Sequence, residues 1–139
     1  MSEQQTLQEE QIQAFQRDSY QAAQKHLAEK GLLPQTVYDK ESRFLAPLCA
    51  VWKFKAQNGK TYWVISGNLP TDHAEASAGS NAREMMRYFS LQWQVKAEQI
   101  MSSPRVDKTQ HNFAELLVRR AHGLYELYDN DKLWANEPS

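Results

Sequence analysis

A chain of 139 residues with a net charge of −1 is the size of one ordinary domain, and it is long enough to bury roughly two thirds of the surface its unfolded form exposes. That charge leaves no overall field to draw the chain to nucleic acid or to an acidic membrane, and its single cysteine, Cys49, cannot close an internal disulfide, which predicts a reducing, cytoplasmic setting. No apolar run reaches the length of a membrane span, and the opening MSEQQTLQEEQ lacks the basic-then-apolar order of a signal peptide.

The first helix is predicted from about Leu7 to Lys30. Thr6 followed by Glu9 reads as a capping box at its start. Ile12, Phe15, Ala22, Ala23 and Leu27 give a thin apolar stripe at helical spacing. Gly31 suits the left-handed residue after the helix, with Pro34 just beyond. Between Gln35 and Pro47, TVYD reads as a short strand, and Pro47 excludes a long central one.

The segment LCAVWKFKAQNGKTYWVIS reads as a hairpin. Asn58-Gly59 favours a two-residue type I′ turn, which sets Phe54 opposite Trp63 and Trp52 opposite Ile65. Those four residues then share the core face, while Lys53, Lys55, Lys60, Tyr62 and Val64 take the other, partly wet face.

Two long helices follow. Asn81 with Glu84 caps the second, from about Ala82 to Met101, with Met85, Met86, Phe89, Trp93, Ala97 and Ile100 as its stripe. Asp107 with Gln110 caps the third, roughly Lys108 to Lys132, with Phe113, Leu116, Leu117, Ala121, Leu124 and Tyr128 facing inward. The predicted fold class is α+β: a long N-terminal helix, a small antiparallel sheet with an Asn-Gly hairpin, and two long C-terminal helices. We expect a single domain over 1–139, ordered from about 6 to 134, with the ends MSEQQ and NEPS frayed.

The stretch GNLPTDH, from Gly67 to His73, is the main candidate site. Two readings stand. In the first, Asp72 with Glu75 forms a capping box that opens a turn and a half of helix in HAEASA, and Asn68 and Thr71 stabilise the turn. In the second, a polar pocket past the second hairpin strand binds a small molecule or an anion. Asn68 and Thr71 line it, Asp72 is base or anchor, His73 is acid–base, and Arg83 in the first turn of the next helix clamps an anion. Adjacent residues do not face each other on a helix, which weakens a direct Asp72–His73 pair.

Other features read as structural. Cys49 has no flanking nucleophile-elbow glycines and is predicted to be a small buried residue. His111, Glu115 and His122 lie near one stripe of the third helix, but no metal-ligand spacing is present, and no metal or cofactor is assigned. His26 is expected to be partly exposed. Lys53, Lys55, Lys60 and Tyr62 form one basic and aromatic patch, read as a solubilising sheet face in preference to a nucleic-acid surface.

APLCAVWKFKAQNGKTYWVISGNLPTDH followed by AREMMRYFSLQWQVKAEQI resembles an uncharacterised family of small bacterial proteins defined as a domain of unknown function. The resemblance runs from the first helix to about Trp134 and is most specific at Trp63–His73 and Arg83–Trp93. It implies a bacterial, cytoplasmic, stand-alone domain and brings no catalytic residues to transfer. The leading functional expectation is a non-enzymatic domain that binds a protein partner or itself. It follows from three amphipathic helices, many aromatics and the lack of a catalytic constellation of known spacing. Ligand binding at Gly67–His73 is the alternative.

Overall fold

The computed structural model describes residues 3–135, with side chains from Gln8 onward. Of the ends expected to fray, NEPS and the first two residues of MSEQQ fall outside the described residues, while the backbone of Glu3, Gln4 and Gln5 is helical. The fold is α+β, and the chain divides into two compact units, Met1–Ala78 and Gly79–Ser139.

The first unit is a helix on a sheet. Helix α1 spans Glu3–Glu29, so Thr6 lies inside it and does not mark its start. Five strands follow: β1 (Pro34–Val37), β2 (Arg43–Leu45), β3 (Cys49–Ala56), β4 (Thr61–Gly67) and β5 (Asp72–Glu75). All pairings are antiparallel, in the order β1-β3-β4-β5, and β2 pairs with β3 as well.

The hairpin exists, but its register differs from the expected one by one residue. Phe54 lies opposite Tyr62, Lys53 opposite Trp63, and Trp52 opposite Val64. The cause is the turn. A type I′ turn needs positive φ at both central residues, and among the described residues no non-glycine residue has it, so Asn58 does not adopt it. Instead the Gly59 N–H donates to the Ala56 carbonyl at 3.0 Å, the Ala56 N–H donates to the Lys60 carbonyl at 2.9 Å, and Gly59 takes φ 86°. This is a three-residue loop over Gln57, Asn58 and Gly59, with the glycine in the left-handed position. A one-residue slip exchanges faces. Trp52 and Phe54 therefore share their face with Tyr62 and Val64, not with Trp63 and Ile65.

Helix α1 covers that face. Ala23 and Leu27 pack with Ala50, Trp52, Phe54, Tyr62 and Val64, and Tyr20 meets Trp52 edge-on at 5.1 Å between ring centroids. A buried polar relay ties helix to sheet. The Trp52 indole N–H donates to Ser66 Oγ at 3.0 Å, and that hydroxyl donates to the Ser19 carbonyl at 2.6 Å. Buried polar groups stay only where they are satisfied, so this relay fixes how α1 lies along the sheet. On the opposite face Val51, Trp63 and Ile65 are fully buried as well, and Cys49 is buried at the start of β3.

The segment expected to start a helix at Asp72 is instead edge strand β5, paired with β4 through Tyr62–Glu75 to Ile65–Asp72 and followed by a single 3-10 turn at Ala76–Ala78. Ladder pairing with an existing strand outweighs an isolated turn of helix, which is unstable alone.

The second unit is a helical hairpin. Helix α2 is Ala82–Met101 and helix α3 is Lys108–Asp129. Both predicted caps form: Asn81 Oδ1 accepts from the Glu84 N–H, and Asp107 and Gln110 make a reciprocal capping box. The helices are antiparallel, since Arg83 at the start of α2 donates to the carbonyl of Tyr128 near the end of α3 at 2.9 Å. The α2 stripe is buried at Met85, Met86, Phe89, Trp93 and Ala97. In α3 the buried residues are Ala114, Leu117, Ala121 and Leu124, while Phe113, expected inside, is 36 % exposed. The small residues let the helices approach, and Ser90 Oγ donates to the Ala121 carbonyl at 2.8 Å across the contact.

Candidate functional site

Of the sequence-predicted site residues, Asn68, Thr71, Asp72 and His73 belong to the first unit and Arg83 to the second. Asn68 belongs to the turn after β4. Its side-chain amide donates to the Pro47 carbonyl at 2.6 Å and its backbone N–H to the Leu48 carbonyl at 2.8 Å. With Gly67, Phe15, Asp18, Ser19 and Ala22 it lines a small depression of about 150 Å³. Thr71 is half-buried just before β5. Arg83 is engaged within the second unit: besides Tyr128 it donates to the Asp131 carboxylate at 2.6 Å, and its guanidinium lies over the rings of Tyr128 and Trp134.

Asp72 and His73 do meet, on strand β5. Asp72 is not a helix cap. Its Oδ1 accepts the backbone N–H of His73 at 2.8 Å. His73 lies opposite Val64 and so points to the face that α1 covers. There it meets a residue the sequence did not suggest. The His26 Nε2 and His73 Nδ1 atoms are 2.8 Å apart, with ring centroids at 4.9 Å and the planes inclined by 60°. His26 adjoins Leu27 and stands three residues after Ala23, which places it at the border of the buried stripe of α1. One ligand atom from each of His26, Asp72 and His73 can be chosen so that all lie within 4.8 Å of one another, and all three residues are half-buried.

A nitrogen–nitrogen contact this short requires one ring to donate an N–H and the other to offer its lone pair. Burial pushes the His26 imidazole below the ordinary 6.5, the neighbouring His73 pushes it the same way, and the Asp72 carboxylate opposes both. The neutral, lone-pair-bearing form is thereby favoured on α1. The cluster offers two imidazoles and a carboxylate within reach of one another.

The remaining candidates are occupied structurally. Cys49 is buried, and burial pushes its thiol up to about 12, the setting of an inert core residue. The lysine patch is divided. Lys53 pairs with Glu41 at 2.8 Å and lies near the rings of Tyr38 and Trp63, Lys60 is 3.6 Å from Glu75, and Tyr62 is buried on the opposite face from Lys53. On α3, His111 and Glu115 pair one turn apart at 3.0 Å.

The second unit carries the larger concavity, an open groove of about 610 Å³ between α2 and α3 with Ala97, Met101, Ala114 and Val118 in its walls and Glu98 and Arg119 at its rim. Helical spacing sets Leu91 and Val95 on the side of α2 away from Trp93, and both are exposed, as are Met101 and Tyr125.

No helix among the described residues is long and apolar enough to cross a membrane. No curated protein and no solved structure matches the chain. The family model described as Domain of unknown function (DUF4826) matches residues 9–134, nearly the whole of the α1-to-α3 architecture. The chain therefore belongs to that family, in agreement with the resemblance carried by its hairpin and second helix.

Proposed function

We propose that this is a self-associating binding domain whose contact surface is the open face of the α2–α3 hairpin, and that its occupant is a second copy of the chain. The observation that carries this reading is the second apolar face of the hairpin. One stripe of α2 is already buried, yet Met101 on α2 and Val118 on α3 remain wholly or partly open in the groove, and Leu91 and Val95 on α2 and Tyr125 on α3 are exposed elsewhere on the two helices. A solvated helix pair would be polar there. Two antiparallel helices with an unfilled apolar face become a four-helix bundle when a two-fold axis brings up a second pair.

Size and charge fit such a partner. Helix α2 with 20 residues and α3 with 22 are about 30 Å long at ~1.5 Å per residue, and with axes about 10 Å apart they offer a face of roughly 600 Å². That approaches the ~800 Å² per partner of a standard stable interface. The lining carries both signs, Glu98 and Glu115 with Arg119, so a two-fold partner can set the Arg119 of each copy against a glutamate of the other. The test is sedimentation velocity on the wild type and on Val118→Glu. A wild-type dimer that Val118→Glu converts to monomer supports the proposal. A dimer indifferent to the substitution rejects this surface.

A second reading, ligand binding on the β5 side of GNLPTDH, draws on one observation: Asp72 is not spent on a helix cap and lies with His73 against His26.

A further inference from the structure

The geometry points to a divalent transition-metal site formed by His26 Nε2, His73 Nδ1 and an Asp72 carboxylate oxygen. The inference rests on the second reading above, to which it gives a ligand class, and it is independent of self-association through the α2–α3 face.

Three observations support it. The first is the donor set. Two imidazole nitrogens and one carboxylate are the ligands that zinc and its first-row neighbours take, whereas magnesium and calcium prefer sets made of oxygen. Three protein ligands leave a fourth position for water or a substrate atom, and the half-buried setting keeps one side of the cluster open to solvent.

The second is distance. Around a tetrahedral ion with bonds of about 2.05 Å, ligand atoms are about 3.3 Å apart. The two nitrogens at 2.8 Å have to part by about half an ångström, and the carboxylate, whose oxygen lies within 4.8 Å of both, has to draw in. Side-chain rotations on fixed backbones supply movements of this size. In a short N–H···N contact one nitrogen already offers its lone pair, and the other offers one when its proton shifts to the second nitrogen of the same ring, so an ion that enters between them finds two ligand atoms already side by side.

The third is support. His26 and His73 are 47 residues apart and belong to α1 and β5, not to one flexible loop. Strand β5 is registered on β4 through Val64–His73, and α1 is fixed to β4 through Ser66 and Ser19. The His73 backbone N–H holds the Asp72 carboxylate on the near side of the cluster at 2.8 Å. Such outer bonds orient ligands and tune their affinity.

The test uses the full chain, with ¹⁵N spectra of its histidine side chains recorded during separate titrations with Zn²⁺ and with inorganic phosphate. The site predicts saturation at one equivalent of Zn²⁺, large shifts at His26 Nε2 and His73 Nδ1, little change at His111 or His122, and no competition from Mg²⁺. Calorimetry on His26→Gln, His73→Gln and Asp72→Asn should show Zn²⁺ affinity lower by at least about tenfold each. His111→Gln should leave it unchanged. If phosphate and not Zn²⁺ shifts His73, the ligand-binding reading stands and the metal assignment falls. If neither shifts it, both fall. Zn²⁺ binding that shifts only His111 or His122 overturns the site, and the wild-type spectra decide this even where a variant fails to fold.

Discussion

Substituting Gly67 by alanine tests whether β4 ends as described, against β3 and under α1. Gly67 has φ 125°, and a Cβ built there would stand 2.8 Å from the Leu48 carbonyl oxygen, 2.9 Å from the Cys49 Cα and 2.9 Å from Cζ of Phe15. The ring of Phe15 can turn away, but the two backbone atoms cannot, because Cys49 is the ladder partner of Gly67. Holding alanine in a glycine-type conformation costs about 1–3 kcal/mol. Forcing a methyl group into a packed site costs about 1–3 kcal/mol more. The sum, roughly 2–6 kcal/mol, is a large share of the ~5–15 kcal/mol that holds a domain of this kind. Gly31 supplies the control: its φ is 78°, also positive, yet a Cβ there meets nothing within 4 Å. Gly31→Ala should carry the conformational cost alone. The entropy that alanine removes from the unfolded chain enters both variants and cancels in their difference. Urea unfolding followed by tryptophan fluorescence should place Gly67→Ala about 1–3 kcal/mol below Gly31→Ala. Equal stability of the two would refute the close approach of β4 to the Leu48–Cys49 backbone.

Two further predictions concern buried groups of the first unit. Ser66→Ala strands the Trp52 indole N–H at a site where Ser66 is fully buried, so it should lower stability by about 1–3 kcal/mol, read as a shifted urea midpoint. Cys49 should resist thiol reagents in the native state at pH 8 and react only on unfolding. Its folded value of about 12 lies above the ordinary 9.0. The unfolded chain therefore loses its proton first, and the contribution of this group is intact below pH 9 and is lost as pH rises toward 12. The predicted slope above pH 9 is about −1.4 kcal/mol per pH unit, and Cys49→Ser should abolish that part of it. A native thiol that reacts at pH 8 as fast as an unfolded one would contradict the burial.

What the sequence made legible was local. The caps at Asn81 and Asp107 and the extent of α2 follow from residues within one turn of each other, and they form as expected. The hairpin was legible as a pair of strands but not in register, because Asn58-Gly59 fits two turn geometries one residue apart. Strand β5 was misread because Asp72, His73, Ala74 and Glu75 are poor strand formers with a helix-capping pattern. Only pairing with Thr61–Gly67 makes them a strand, and that pairing is not local. The histidine cluster was half legible. His73 and Asp72 stood out together in a polar turn, while His26 was hidden in a polar helix 47 residues earlier. Its one signal was its place beside Leu27 on the edge of the apolar stripe.

The most direct measurement on the central proposal is the solution mass of the wild-type chain, by sedimentation equilibrium at protein concentrations from about 1 to 100 µM, a range that spans ordinary protein–protein affinities. One chain weighs 16.1 kDa. Self-association through the open α2–α3 face predicts a mass rising to about 32 kDa, twice that of one chain, and no further, because a two-fold interface closes on itself. A mass that stays at 16.1 kDa across the whole range would contradict it.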